Sequence, residues 1–301
     1  MNNMLPKEVI MADPKDIPGL MHQLPMTQIY DPNINPLHAN VIQLDGAKFL
    51  YINIDGQSQT MIGPNSPILD HMLRQHNPHY FAVADIRKNI PKHIFGYTRI
   101  TYKTGNPDYN SIGGIAIFKK NNIKTKVQVI KIDAISDLIW IRINNQMIAV
   151  GYSRPNGSSN KLLIKKFFNT LNNDIDNYKN YCGKKTEVFI VGDLNARMGI
   201  TTGDKIKNSQ SAQLLRGLLN KHNLKIANAA YQFGIPTYTK SNGTSIIDVA
   251  ICNNPKEQLS DFLVDTSAIF RAHRPILMQM QNSAATITEI NPVYSLSLIH
   301  I

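Results

Sequence analysis

Four apolar residues, Val188 to Val191, run without a break into Gly192-Asp193-Leu194-Asn195. An apolar run this short, stopped by glycine, reads as a buried strand ending in a reactive tip. Side chains alternate along a strand, so Asp193 and Asn195, two apart, are expected to point the same way at its carboxyl end. One accepts protons or binds a metal, and the other donates and accepts hydrogen bonds. The pair suits holding a water molecule beside a phosphate. Taken alone, the string is also an ordinary Asp/Asn-rich turn.

Comparable runs recur along the chain. Phe49 to Ile54, His79 to Ala84, Gly96 to Tyr102, Gly113 to Lys119, Lys126 to Ile132, Leu138 to Ile143, Met147 to Tyr152, Ile246 to Cys252, Phe262 to Val264 and Pro275 to Met280 are strand candidates, many of them β-branched. Three amphipathic helices interrupt them. One follows Ser66-Pro67, a capping side chain with proline at the first helical position, and a second runs from about Ser159 to Tyr178. The third runs from about Ser209 to Lys221, and the apolar stripes of all three read as core-facing sides. Many strands with a few long helices imply α/β layers rather than a bundle or a pure β-barrel. Residues 1–39 carry six prolines and no sustained period, so an irregular leader is expected, followed by one domain over 40–281 and a loose tail over 282–301.

The formal charge is +11, and between Arg87 and Lys131 ten Lys/Arg face a single acidic residue, Asp108. A polyanion, nucleic acid ahead of a membrane surface, is the natural partner of such a stretch. A lysine-rich composition produces the same excess without function, and the many Asn and Ile residues fit that explanation. Cys182 and Cys252 form neither a disulfide framework nor a zinc motif, and Cys252 reads as a small buried thiol. No apolar stretch reaches the length of a membrane span, so the chain reads as intracellular, with no membrane partner.

Several candidate strands end on a polar group. Asn53 precedes a glycine turn, and Asp85 follows an apolar strand beside Arg87. Tyr152 stands where a strand yields to Ser153-Arg154-Pro155, and His273 lies between Arg271 and Arg274, with Ala272 before it. Asp248 is embedded in an otherwise apolar strand. An ionised carboxylate there is costly unless paired, and a histidine is a frequent partner.

The order and spacing of these segments, with Gly113-Gly114-Ile115-Ala116-Ile117, His222-Asn223-Leu224 before Asn228, and Gly234-Ile235-Pro236-Thr237-Tyr238-Thr239 leading to Asp248, resemble the endonuclease/exonuclease/phosphatase superfamily. Within it the chain is similar to the endonuclease domains of non-LTR (LINE-type) retrotransposons, over roughly Val41 to Met280. The resemblance implies a four-layered α/β sandwich, two mixed sheets packed face to face with helices outside. It implies magnesium, or manganese in its stead, held by Asp85 with help from Asn53. Asp193, steadied by Asn195, would activate the attacking water. Tyr152 and His273 would contact the scissile phosphate, with Asp248 fixing the histidine's tautomer. Arg154, Arg271 and Arg274 are further candidate phosphate contacts.

Two positions depart from the family pattern: Asp85 stands where glutamate is usual, and Ala272 where a carboxylate is usual. Loss of that carboxylate is expected to weaken turnover by roughly 10²–10³. The resemblance thus implies a monomeric DNA-nicking phosphodiesterase of attenuated activity. The alternatives are a catalytically degenerate nucleic-acid-binding remnant and an inositol-phosphate or lipid phosphatase. No Tyr-x-Asp-Asp string of a reverse transcriptase is present in this chain.

Overall fold

The computed structural model describes residues 41–44, 46–56, 66–87, 90–105, 112–182, 186–205, 209–241, 243–268, 270–281 and 285–288. In chain order the strands are β1 (Val41–Leu44), β2 (Ala47–Asn53), β3 (Tyr80–Ala84), β4 (His93–Ile94), β5 (Tyr97–Thr104), β6 (Gly114–Lys120), β7 (Val127–Ile132), β8 (Asp137–Ile143), β9 (Gln146–Tyr152), β10 (Glu187–Asp193), β11 (Lys225–Ile226), β12 (Tyr238–Lys240), β13 (Gly243–Ser245), β14 (Asp248–Cys252), β15 (Leu259–Val264), β16 (Ile276–Met280) and β17 (Ala285–Thr288). The helices are α1 (Pro67–His76), α2 (Lys161–Cys182), α3 (Gln210–His222), α4 (Ala227–Tyr231) and α5 (Pro255–Gln258).

Seven strands form one sheet in the order β15-β16-β2-β3-β6-β5-β4, and six form a second, β11-β14-β10-β9-β8-β7. Both sheets are mixed: β2 runs parallel to β3 and β9 parallel to β10, while the other neighbours are antiparallel. The period of two along each strand separates its two faces. Phe49, Tyr51, Tyr80 and Ile117 from the first sheet meet Ile139, Ile148, Phe189 and Val191 from the second in a shared core. The alternate residues Leu50, Ile52, Phe81 and Val83 face outward onto Leu69, Met72 and Leu73 of α1. On the other side Trp140, Met147, Val188 and Ile190 face Ile164, Phe168, Leu215 and Leu218 of α2 and α3. The result is four layers, helix, sheet, sheet and helices, as the resemblance implied.

Helix boundaries follow local chemistry. Ser66 Oγ accepts the Leu69 N–H at 3.3 Å ahead of Pro67, and Ser209 caps α3 through the Ala212 N–H at 3.2 Å. Asn77 and Asn223 close α1 and α3 in the left-handed conformation that asparagine tolerates. The second helix starts two residues later than expected, because a single 3₁₀ turn occupies Ser158–Asn160. Residues 1–39 lie outside the described residues. Of the 282–301 segment, 285–288 pairs antiparallel with β1, and the remainder lies outside the described residues. Cys252 is fully buried in the shared core. Among the described residues no helix is long and apolar enough to cross a membrane.

Candidate active site

Strand register builds the site. Asp193 stands opposite Tyr152 in the parallel β9–β10 ladder and opposite Asp248 in the antiparallel β10–β14 ladder. Three polar residues far apart in sequence therefore share one row at the end of the second sheet. The row is tight at Gly192, where a Cβ would overlap the Gly151 carbonyl of the neighbouring strand. In the first sheet Asn53 stands opposite Ala84, which brings Asp85 out at the same end.

Asn53, Asp85, Tyr152, Asp193, Asn195 and His273 line a single cleft of about 310 Å³. Asp248 lies behind it, fully buried, and receives His273 Nδ1 at 2.8 Å. That contact leaves the imidazole Nε2 for the cleft. The backbone around Asp248 is pinned by Thr237, whose buried hydroxyl oxygen accepts the Ile247 and Asp248 N–H groups at 3.0 Å each. Asn228 adds a second clamp, taking the Ala250 N–H at 3.0 Å and donating to the Asp248 carbonyl at 3.3 Å. Tyr238 presses its ring edge-on against His273, with centroids 4.8 Å apart.

Asp193 is held from both sheets. Asn53 Nδ2 donates to its Oδ2 at 3.0 Å, and the Asn195 N–H donates to its Oδ1 at 3.0 Å. Its own N–H donates to the Tyr51 hydroxyl at 2.8 Å. Asp193 and Asn195 do face the same cleft, but not through strand alternation. The strand ends at Asp193, and Asn195 sits in a left-handed turn (φ 47°), its side chain donating to the Ser153 carbonyl at 2.8 Å. The amide of Asn53 is engaged at both ends, because its Oδ1 accepts the Asp55 N–H at 2.9 Å. It spans Asp193 and the Asp55 turn while lining the cleft.

On the opposite wall Asp85 Oδ1 accepts the Gly113 N–H at 2.7 Å, and its Oδ2 faces Arg87 Nη2 at 3.3 Å. Asp55, absent from the sequence expectation although two residues beyond Asn53, also lines the cleft. Three cations surround it: Arg271 Nε at 3.4 Å, and Arg87 Nη2 and Lys240 Nζ at 3.9 Å each. Arg197 and Asn156 also line it, the former paired with Asp204, and nothing in their immediate sequence marks them.

The charges interact strongly. Burial disfavours a cationic imidazole, but the Asp248 carboxylate and its hydrogen bond, then Asp193 and Asp55, raise His273 to about 9. It is therefore an imidazolium at neutral pH. Burial, and after it the Asp248 charge, hold Asp193 well above the usual carboxylate range, against the pull of His273 and the Asn195 N–H. Burial, then Asp85 and Asp193, push the Tyr152 phenol well above its ordinary value, so it remains a proton donor. Asp193, Asp248 and His273 each bring one ligand-type atom within 4.8 Å of the others.

The three arginines expected at the phosphate are not equivalent. Arg154 is buried away from the cleft, donating to the Ile112 carbonyl at 2.8 Å and lying 4.0 Å from Asp137. Arg274 donates to the Pro236 carbonyl at 3.0 Å and does not line the cleft. Arg271 reaches the cleft edge through Asp55. Ala272 is buried, with its carbonyl accepting the Thr239 N–H. Asp265, the nearest acid upstream, is committed to His76 at 2.7 Å and does not replace the missing carboxylate.

Residues 147–277 match the family model described as endonuclease-reverse transcriptase. Curated proteins give no match. Among solved structures, the endonuclease domain of TRAS1, a telomere-specific non-LTR retrotransposon, superposes with a TM-score of 0.55 at 16% identity, covering 78% of this chain and 98% of that one. A 3′ phosphatase, NExo, from Neisseria, bound to a product DNA hairpin, gives 0.61 at 14% identity over 78% and 99%. The AP endonuclease LMAP from Leishmania major gives 0.61 at 12% over 79% and 88%. At these identities the likeness is one of fold, while the family match lies on the segment carrying Tyr152, Asp193, Asp248 and His273. The chain thus has the sandwich fold of the endonuclease/exonuclease/phosphatase superfamily of nucleases and phosphodiesterases, with the endonuclease-reverse transcriptase sequence pattern over residues 147–277.

Proposed function

We propose that this protein is a divalent-metal-dependent phosphodiesterase that nicks DNA, an endonuclease of the retrotransposon type. The observation that carries the reading is the convergence of Asp193, Tyr152, Asp85 and the Asp248–His273 pair on one cleft. Phosphodiester hydrolysis needs an activated nucleophile together with donors or positive charge on the non-bridging oxygens. The cleft offers both.

The donor set suits a hard cation: Asp85 and Asp55 present carboxylate oxygens to the same cleft, the ligand type that magnesium and manganese take. Asp85 and Asp55 would hold the ion, and Asn53 would orient Asp193. A cation held there would supply positive charge toward the phosphate oxygens and lower the pKa of a bound water. Asp193, held in place by Asn53 and the Asn195 N–H, accepts the water's proton. The imidazolium of His273 donates from Nε2 to a non-bridging oxygen, held in that tautomer by Asp248. Tyr152 gives a second donor.

The test is relaxation of supercoiled plasmid. Magnesium-dependent conversion to open circles, abolished by EDTA and by Asp193→Ala, is expected. Plasmid left intact by the wild-type protein under the same conditions would refute the reading. Ala272 favours a second reading, a DNA-binding protein of the same fold without turnover. It predicts salt-sensitive binding, from the +11 charge, with no nicking. Release of phosphate from inositol phosphates would instead support the phosphatase reading.

A further inference from the structure

The cation wall of the cleft already contains a cation of its own. Arg87 Nη2 lies 3.3 Å from Asp85 Oδ2 and 3.9 Å from Asp55 Oδ1, and its Nε lies 3.4 Å from Asp85 Oδ1. One guanidinium thus spans the two carboxylates assigned above to the metal. These contacts are longer than the 2.7–2.9 Å usual for charge-assisted bonds, so the arginine balances charge without being locked in place.

The backbone is shaped to put it there. Asp85 (φ 54°) and Arg87 (φ 46°) are both in the left-handed region, unusual for non-glycine residues. Hydrogen bonds hold this conformation on both sides: the Gly56 N–H to the Asp85 carbonyl and the Arg87 N–H to the Gly113 carbonyl, each at 3.0 Å. Gly56, itself at φ 76°, leaves room for the side chain, because a Cβ at that position would overlap the guanidinium. Strain of this kind persists only where surrounding structure over-determines it, and it concentrates at functional sites.

The balance of charge around the two acids points the same way. Asp85 and Asp55 face three cations, Arg87, Lys240 and Arg271, so the wall is neutralised before any ion arrives. We infer that Arg87 is a built-in counter-ion of the metal site: a divalent cation binds at Asp85 and Asp55 only by displacing its guanidinium, which keeps metal affinity low until a polyanion draws the basic side chains away. The inference rests on the metal-dependent reading above. It adds that metal and nucleic acid bind with positive coupling, each raising the affinity of the other by the same factor.

The experiment is a titration with Mn²⁺ alone, following the free-ion EPR signal, in the wild-type protein, Arg87→Gln, Arg87→Lys, Lys240→Gln and Asp85→Asn. Displacing the guanidinium gives up its attraction to Asp85 at 3.3 Å and to Asp55 at 3.9 Å, which even at the dielectric of water and with salt screening corresponds to a ~10-fold change in affinity. Arg87→Gln should therefore bind Mn²⁺ ~10-fold more tightly than wild type. Arg87→Lys, which keeps the charge but loses the planar fork, should fall between them and serves if the glutamine variant does not fold. Lys240→Gln changes net charge equally but does not bridge the acids, so its gain should be clearly smaller. Asp85→Asn should lose binding. Equal Mn²⁺ affinity in wild type and both Arg87 variants, or a Lys240→Gln gain matching that of Arg87→Gln, overturns the inference and leaves metal dependence standing. Absence of Mn²⁺ binding in all the proteins removes both.

Discussion

Replacing Asp248 by asparagine keeps the shape of the buried partner of His273 and removes its charge. In the wild-type protein the imidazole rises from 6.5 to about 9, with Asp248 supplying the largest upward contributions. Without that charge, burial still pulls the value down, and only the more distant Asp193 and Asp55 oppose it. The His273 pKa should fall by about two units, to below about 7. A proton-detected pH titration of the imidazole Cε1–H reads this directly, with His273→Gln identifying the resonance among the nine histidines. Stability follows with a definite sign. The folded-state value lies above the unfolded one, so protonation of His273 stabilises the fold fully below about pH 6.5, and that contribution is lost as pH rises through about 9. At about 1.4 kcal/mol per unit, the contribution is about 3 kcal/mol. The stability gap between wild type and Asp248→Asn should accordingly shrink by about 3 kcal/mol between pH 6 and pH 10 in urea unfolding. A gap that stays constant with pH, or a variant His273 still titrating near 9, would refute the assignment of the shift to Asp248.

Three further substitutions probe the frame around the cleft. Thr237→Val leaves the buried Ile247 and Asp248 N–H groups without their acceptor, at a cost of about 2–4 kcal/mol, which a thermal melt should register as a Tm lower by about 5–15 °C; an unchanged Tm would show that the clamp is dispensable. Gly192→Ala drives a Cβ into the Gly151 carbonyl, a backbone overlap that no rotamer relieves, and should destabilise by about 3 kcal/mol in denaturant titration. Ala272→Asp puts a carboxylate at a buried position beside His273; plasmid nicking should rise by about 10², while melting in EDTA should fall and recover with magnesium. A nicking rate no higher than wild type would mean that the missing carboxylate does not limit turnover.

Much of the architecture was legible locally. The apolar run Phe49 to Ile54 and the capped apolar stripe after Ser66 are properties of neighbouring residues, and the elements form there, the strand over Ala47–Asn53 and the helix over Pro67–His76. The two-residue strands His93–Ile94 and Lys225–Ile226 were not legible, since a pair of residues carries no period and exists only because a longer strand offers partners. At the site, Asp248 within the apolar run Ile246 to Cys252 announced that it needed a buried partner; it proves to be the first residue of β14, and His273 is that partner at 2.8 Å. Asn53 was marked by its strand end, but its bond to Asp193 joins residues 140 positions apart, and no local signal carries such a distance. Arg154 illustrates the converse. It neighbours the cleft in sequence, yet its guanidinium donates to the Ile112 carbonyl and does not line the cleft.

The amino-acid order by itself determined the longer strands and the three long helices, and which acids and imidazole were available for chemistry, because hydrophobic period, capping and side-chain type act over a few residues. Only the tertiary structure decided that Tyr152, Asp193 and Asp248 share one row, that Asp55 joins the cleft, and that Arg87 bridges two carboxylates. Those outcomes depend on strand register and on the packing of one sheet against the other, which are set when distant parts of the chain close on a common core.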